Sequence, residues 1–285
     1  MKKGRRRMIW ILCTIAVLVI AVTIFFLIPF SPIRNEFQRD VQQHIALSSS
    51  MHSGIFTQEN IAFLPEPVQN HLRATGLISQ PIPNSVRAFM PSAPLYQSRD
   101  SSPLHLDFTL YLFAHPARLA YMRASMFGIP FEAFDSTQDG AGFMRGVIGK
   151  VVPLFNQTGP EMDRGQILTW LGEAPLLPSS LLSEHITWES IDASHVRATV
   201  NYREMTVSGI FSFNENGFFR SFRTTERARI GTDGSIEFPA WSVVFDEWIQ
   251  DANGKYVPYA VRVIWHLDDG DFVYFSSSGF DVVFH

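Results

Sequence analysis

The chain has 285 residues, 46% of them hydrophobic and 13% aromatic, enough for one large domain or two small ones beside a membrane segment. Five basic residues (Lys2, Lys3, Arg5, Arg6, Arg7) and no acids fall within residues 1–28, which leaves 18 basic against 27 acidic groups beyond them, a net of -9. That balance excludes a general nucleic-acid binder, which needs a basic surface. The single cysteine, Cys13, lies in an apolar run and so excludes disulfides, thiolate catalysis and cysteine-ligated metal from the rest of the chain.

Residues 1–7 form a basic amino-terminal segment, and residues 8–28 (MIWILCTIAVLVIAVTIFFLI) follow without a charge. At about 1.5 Å per residue this run spans roughly 30 Å, the hydrocarbon thickness of a bilayer. The charges before it predict a single-pass helix with its amino end inside, which places the rest of the chain outside the bacterial cytoplasmic membrane. The run exceeds a secretory h-region and no small-x-small cleavage site follows, so it reads as a retained signal-anchor. Trp10, Ile11 and Leu12 before Cys13 rule out a lipobox.

Pro29 and Pro32 end that helix, and residues 29–58 read as a juxtamembrane stalk. Within it Ile33, Phe37, Val41 and Ile45 recur every fourth position, an amphipathic helix whose stripe either packs on the domain or lies at the lipid interface. Ser48, Ser49, Ser50 and Gly54 read as a flexible link. The extracytoplasmic domain is expected over residues 59–285. It opens with a helix within 64–76, Pro67 suiting a first helical position and Gly76 the cap, and a proline-rich loop over 80–94 follows.

From Leu104 the period changes to two, with Leu104, Leu106, Phe108, Leu110 and Leu112 on one face. Strands are predicted over 104–112, 117–126, 131–137 and 142–155, the last opened by the turn Asp139 and Gly140. The passage 168–192 is the one clearly helical stretch between two series of strands and is expected to carry the chain from one half of the sheet to the other. Its helix opens at Pro160, places Glu161 and Asp163 at its positive end, and breaks at Pro175 and Pro178. Alternation resumes at Val196, Ala198, Val200 and Tyr202. Turns at Asn216 and Gly217, Asn253 and Gly254, and Asp269 and Gly270 then separate strands over 218–229, 241–245, 257–267 and 272–284. The fold class expected is mainly β with some helix (α+β): a curved antiparallel sheet or half-open barrel with a central helical segment, plus the transmembrane helix.

The motifs LPEPVQNHLRATG, EAPLLPSSLL, ITWESID and GKYVPYAVRVIWHLDDGDFVYF resemble a bacterial family of exported or membrane-anchored proteins known only as a domain of unknown function. The resemblance spans about residues 64–284 and implies no activity. The architecture is also similar to the half-open barrels of periplasmic lipoprotein carriers, which implies a curved sheet wrapping a helical plug around an acyl chain. That second likeness is fold analogy.

A sheet of this kind presents an apolar concave face, for which Phe108, Leu110, Phe211, Phe213, Val263 and Trp265 are candidates, closed by Trp170, Leu176, Leu177 and Leu181. The same residues read either as a lipid-binding cavity or as a filled core. Arg223, Arg227 and Arg229 fall on one side under period two, where guanidinium forks hold phosphate or carboxylate; the alternative pairs them with Glu204, Glu215 or Glu226 on a solvated face. No G-x-S-x-G, H-E-x-x-H or Gly-rich phosphate loop occurs, and none of the nine histidines has helical ligand spacing. The expectation is a non-enzymatic domain without metal or cofactor, whose partners are the membrane and a lipid or other apolar ligand. The alternative is a structural or protein-interaction module of the cell envelope with a filled core.

Overall fold

The computed structural model describes residues 2–49, 51–231, 234–251, 254–279 and 281–285. Helix α1 (Lys2–Leu27) stands clear of the domain, and the window long and apolar enough to cross a membrane buries none of its residues. Its carboxyl end is held by Lys150, whose Nζ donates to the carbonyls of Phe25 (3.1 Å), Phe26 (3.0 Å) and Ile28 (2.7 Å). A cation thus satisfies carbonyls that a helix end leaves without partners.

Helix α2 (Pro32–Ser48) starts at Ser31, whose Oγ accepts from the Arg34 N–H (3.1 Å) and donates to Glu132 (2.8 Å). Its stripe of Ile33, Phe37 and Val41 is buried against Phe113, Leu119, Tyr121 and Phe134. The Phe37 ring stacks on Tyr121 at 5.4 Å and meets Phe134 edge-on at 5.5 Å. Of the two places open to this stripe, the structure uses the domain. Ser50 of the expected link lies outside the described residues, and Phe56 just beyond it is fully buried. Two short helices follow, α3 (Gln58–Ile61) and α4 (Glu66–Ala74), the latter stopped where Gly76 takes φ 73°.

Two antiparallel meanders make up one large sheet. The first holds β1 (Ser85–Leu95), β2 (Leu104–Phe113), β3 (Arg118–Met126), β4 (Ile129–Gln138), β5 (Ala141–Ile148) and β6 (Val152–Thr158). The second holds β7 (Ile186–Ser190), β8 (His195–Tyr202), β9 (Met205–Phe213), β10 (Phe219–Thr224), β13 (Ala240–Gln250), β14 (Tyr256–Leu267) and β15 (Gly270–Ser278), with a side ribbon of β11 (Arg229–Ile230) and β12 (Ile236–Glu237) between β10 and β13. Strand order is β6-β5-β4-β3-β2-β1-β15-β14-β13-β10-β9-β8-β7, and β16 (Asp281–Phe284) pairs with β1 beside β15. The central passage therefore joins one edge strand to the other: α5 (Pro160–Glu173) and two 3₁₀ turns, Ala174–Leu176 and Pro178–Leu182, cross the concave face from β6 to β7. Gly142 permits this crossing, since a Cβ there would stand 2.8 Å from the Met162 carbonyl oxygen.

Several predicted bounds are corrected. The loop expected over 80–94 is mostly β1; Pro91 falls in the irregularity between Met90 and Ala93, where a ladder tolerates a missing N–H. The run 142–155 breaks at Gly149 and Lys150 into β5 and β6, and 272–284 breaks near Gly279 into β15 and β16. Residues 186–190 of the central passage form strand β7, because their β-branched and aromatic side chains pair with β8. The strand expected over 218–229 ends at Thr224, where its ladder with β13 stops. Asn253 lies outside the described residues.

Alternation along β2, β3 and β4 separates two cores. Leu106, Phe108, Leu110, Ala120, Met122 and Ala133 face the concave side, under α5; Phe113, Leu119, Tyr121 and Phe134 face the convex side, under α2. Trp170 of α5 is fully buried and its Nε1 donates to the Phe113 carbonyl at 3.2 Å. On α4, His71 is enclosed by Phe213, Phe219 and Trp248, and its Nδ1 accepts the Phe219 N–H at 3.1 Å.

Trp170→Ala is expected to lower unfolding free energy by about 3–5 kcal/mol, read by urea denaturation in detergent micelles. Burial holds His71 at about 3, and burial followed by the neighbouring His44 holds His115 at about 4, against 6.5 in the unfolded chain. Both are neutral when folded and take a proton on unfolding. Stability is therefore complete above pH 6.5 and falls below it, by about 1.4 kcal/mol per pH unit for each histidine. Denaturation midpoints taken from pH 7 to 5 check this, and in His71→Gln the slope should drop by the share of one histidine, about 1.4 kcal/mol per pH unit.

Candidate functional site

Between the concave face and α5 the core is not filled throughout. On the β7–β10 side it is closed: Phe211 meets Phe219 at 5.3 Å and Phe222 at 5.1 Å, and Trp188 covers Phe211 at 5.6 Å. On the other side, among α5 and the strands β1 to β5 and β13 to β15, a cavity of about 700 Å³ opens, within the range of small-molecule sites. Its apolar wall includes Met90, Leu106, Phe108, Met122, Val263 and Phe275.

A line of aromatics continues this wall across β13 to β15. Trp265 stacks on Tyr274 at 6.1 Å, and Trp241 lies 6.5 Å from Trp265 and donates its Nε1 to the Tyr274 hydroxyl at 3.1 Å. Burial pushes the Tyr274 hydroxyl above its usual range, so it stays protonated.

Charge gathers where α5 meets the sheet. Arg118, at the start of β3, donates to Asp135 of β4 at 2.7 Å and to both oxygens of Glu173 at 2.7 and 3.1 Å. The Arg118 side chain is 4% exposed and each carboxylate 13%. Burial alone would lower the arginine's pKa, but Glu173 and Asp135 outweigh it and raise it. The Gln166 amide of α5 donates to the other oxygen of Asp135, and its own Oε1 is buried without a partner among the described residues.

Arg227 lies nearby with a different environment. Its guanidinium sits 4.7 Å above the Trp241 ring, and Nη1 donates to the Gly165 carbonyl and to Thr169 Oγ1 at 2.5 Å, both neutral acceptors. Its Nε is buried without a partner among the described residues. Asp135 and Glu173 act on it only at a distance, being engaged by Arg118; burial lowers its pKa, yet a guanidinium stays charged. The part of its surface that remains accessible faces the cavity. This is a cation at the edge of the apolar wall with no carboxylate in direct contact, while Asp135 and Glu173, held by Arg118, line the same cavity.

Of the ten apolar candidates from the sequence, Phe108, Leu176, Val263 and Trp265 line the cavity. Leu110, Trp170, Leu177, Leu181 and Phe211 are packed in closed core instead, and Phe213 packs beside His71 of α4. Of the three arginines, Arg227 and Arg229 line the cavity, and Arg229 pairs with Glu237 at 3.1 Å. Arg223 does not join them: it is exposed on the outer face of β10 because period two ends at Thr224, before the chain turns inward at Arg227. Glu226, one of the pairing partners expected, takes Arg164 at 3.2 Å.

Sequence reasoning missed Arg118, Asp135 and Glu173. Its signal was parity: Arg118 shares a face with Ala120 and Met122, and Asp135 with Phe131 and Ala133, so each sets a charge on an apolar stripe. It also missed a Ser-His-Asp alignment across three strands, in which Ser242 Oγ lies 2.9 Å from His266 Nε2 and His266 Nδ1 2.6 Å from Asp271. Ser242 is 4% exposed near the start of β13 and is paired there with Arg223 of β10 and Ile264 of β14. Ladder pairing spends the N–H groups that an oxyanion site needs, so the alignment acts as a cross-strand hydrogen-bond chain. Among the described residues no group of three or more His, Cys, Asp or Glu side chains is placed to hold a metal.

The chain belongs to the DUF6544 family, a family of unknown function whose profile matches residues 54–277. No curated protein matches it. Among solved structures it is similar to an outer membrane lipoprotein-sorting protein domain from Vibrio parahaemolyticus, at TM-score 0.38 and 10% identity over 71% of this chain and 86% of that one. A LolA superfamily protein from Nitrosomonas europaea matches at TM-score 0.38 and 11% identity over 76% and 93% of the two chains. A DUF1329 family protein from Desulfovibrio piger matches at TM-score 0.38 and 7% identity over 76% and 91%.

Arg118→Met leaves Asp135 and Glu173 buried without their shared counter-charge. We expect a loss of about 3–5 kcal/mol in urea denaturation.

Proposed function

We propose that this member of the DUF6544 family is a membrane-tethered binding domain that holds an acidic amphiphile in the cavity under α5. The acyl part lies against Phe108, Val263 and Trp265, and a carboxylate or phosphate head meets Arg227. The observation that carries the reading is a 700 Å³ chamber with a long apolar wall, lined also by the Arg118, Asp135 and Glu173 ion pairs, into which comes a guanidinium whose direct partners are all neutral. A buried donor of that kind gains most from an anionic acceptor, because the surrounding medium screens little. The tether is α1, with the five cations of its amino-terminal end inside and the domain outside the cytoplasmic membrane. The chemistry needed is binding, not turnover.

The test is photolabelling of the full chain in detergent micelles with a diazirine fatty acid and with the matching fatty alcohol. Peptides bearing Met144, Trp265 or Tyr274 should be labelled by the acid, and Val263→Trp, which fills the chamber, should abolish that label. Arg227→Met should weaken capture of the acid by about tenfold and leave the alcohol unchanged, the difference expected for one charge-assisted hydrogen bond. Label confined to α1 would sink the proposal.

A further inference from the structure

Two hairpin tips carry apolar side chains that water disfavours. The turn between β3 and β4 exposes 97% of Phe127, with Ile129 beside it, and the turn between β5 and β6 exposes Val151, Val152 and Leu154. Scattered exposed apolar residues need no explanation, but neighbouring ones on adjoining hairpins make a patch.

Backbone conformation supplies a second observation. Phe127 and Gly128 form a two-residue turn with φ of 53° and 79°. Such a turn favours Asn or Asp at its first position, and a bulky residue there is strained. At the other end of β4 the same turn is built from Asp139 and Gly140, with φ of 52° and 84°. One strand thus has the favoured residue at one end, and at the other a phenylalanine unfavourable both to backbone and to water. A turn of this composition is stable where an apolar surrounding offsets both costs.

The location of the tips identifies that surrounding. Lys150, on the β5–β6 turn, donates to the last carbonyls of α1, and a Cβ built on Gly149 would lie 3.8 Å from both Phe26 of α1 and Ile129 of the neighbouring hairpin. The patch is therefore continuous with the carboxyl end of the apolar helix. Resting on the reading of α1 as the membrane tether, we propose that the β3–β4 and β5–β6 tips dip into the lipid bilayer that α1 spans, with Phe127, Val151, Val152 and Leu154 in its interfacial layer. The bilayer is the occupant because the helix end that adjoins the tips is the point at which the chain leaves the hydrocarbon. The contact fixes the domain at three points, the helix and two hairpins, so that it cannot swing about the segment between α1 and α2. By register, β1 ends at Leu95 on this same rim, and the cavity wall of Leu95, Tyr96 and Ser98 is held close to lipid.

The experiment uses the full chain with Cys13→Ser and single cysteines labelled with an environment-sensitive fluorophore, in phosphatidylcholine vesicles with and without nitroxide-bearing lipid. Label sites are Phe127→Cys and Val152→Cys, with Ile20→Cys inside α1 and Asp139→Cys at the far end of β4, a strand of 10 residues that spans roughly 30 Å at ~3.3 Å per residue. Blue-shifted emission quenched by nitroxide lipid at positions 127, 152 and 20, and not at 139, is the expected result. Adding Phe127→Asp should reduce quenching at 152. Quenching at position 20 alone overturns the tip contact while leaving the tether intact; quenching at none overturns both. Labels at 127 and 152 shielded from aqueous iodide yet unquenched by nitroxide lipid reveal a protein contact and also overturn it.

Discussion

Arg118 bridges three elements at once, and the cavity depends on it. Its guanidinium binds β3 to β4 through Asp135 and to the end of α5 through Glu173, all with little access to solvent. Three buried charges of this kind cannot be pressed together as an aliphatic core can, since each needs its hydrogen bonds at fixed distance. On the other side of α5 the phenylalanines of β9 and β10 close the space. One helix crossing one concave face thus produces a sealed core and an open chamber, the difference lying in the side chains beneath it.

The crossing itself follows from topology. Strands β6 and β7 are the two edges of the sheet, and the chain has to pass from one to the other. The convex route is taken: α2 covers β2, β3 and β4 there with Ile33, Phe37 and Val41. A hydrogen-bonded set beneath its ends, Ser31 with Glu132 and His44 with His115 (2.9 Å) and Gln138 (2.9 Å), holds α2 against the sheet. With Lys150 capping α1, the segment between the apolar helix and the domain is tied down on both sides, so residues 29–58 are part of the folded body.

Much of the architecture is legible in the sequence because period two and period 3.6 are imposed by backbone geometry alone. The alternation Leu104 to Leu112, the turns at Asp139 and Gly140 and at Asn216 and Gly217, and the Pro160 helix start lie where local rules put them, while the turn expected at Asp269 and Gly270 sits one residue earlier, Gly270 already pairing with Leu267. The strand β1 was hidden by Pro91 and Pro94, which local rules read as loop, and which the sheet accommodates beside a register irregularity. Arg223, Arg227 and Arg229 show the same limit from the other direction: spacing placed them together, and the end of the β10 ladder at Thr224 parted the first from the other two.

The sequence by itself determined the apolar helix, the family, the fold class and the crossing role of the central passage, since each rests on composition or on contacts between near neighbours in the chain. Tertiary structure alone decided which half of the concave face stays open, because Arg118 meets Asp135 and Glu173, and Arg227 meets Gly165, across separations of 17 to 62 residues. Whether an alternating apolar residue packs or lines a cavity depends on how far an opposing element stands from it. That distance is set by the side chains of the opposing element, which the residue's own neighbours in sequence do not encode.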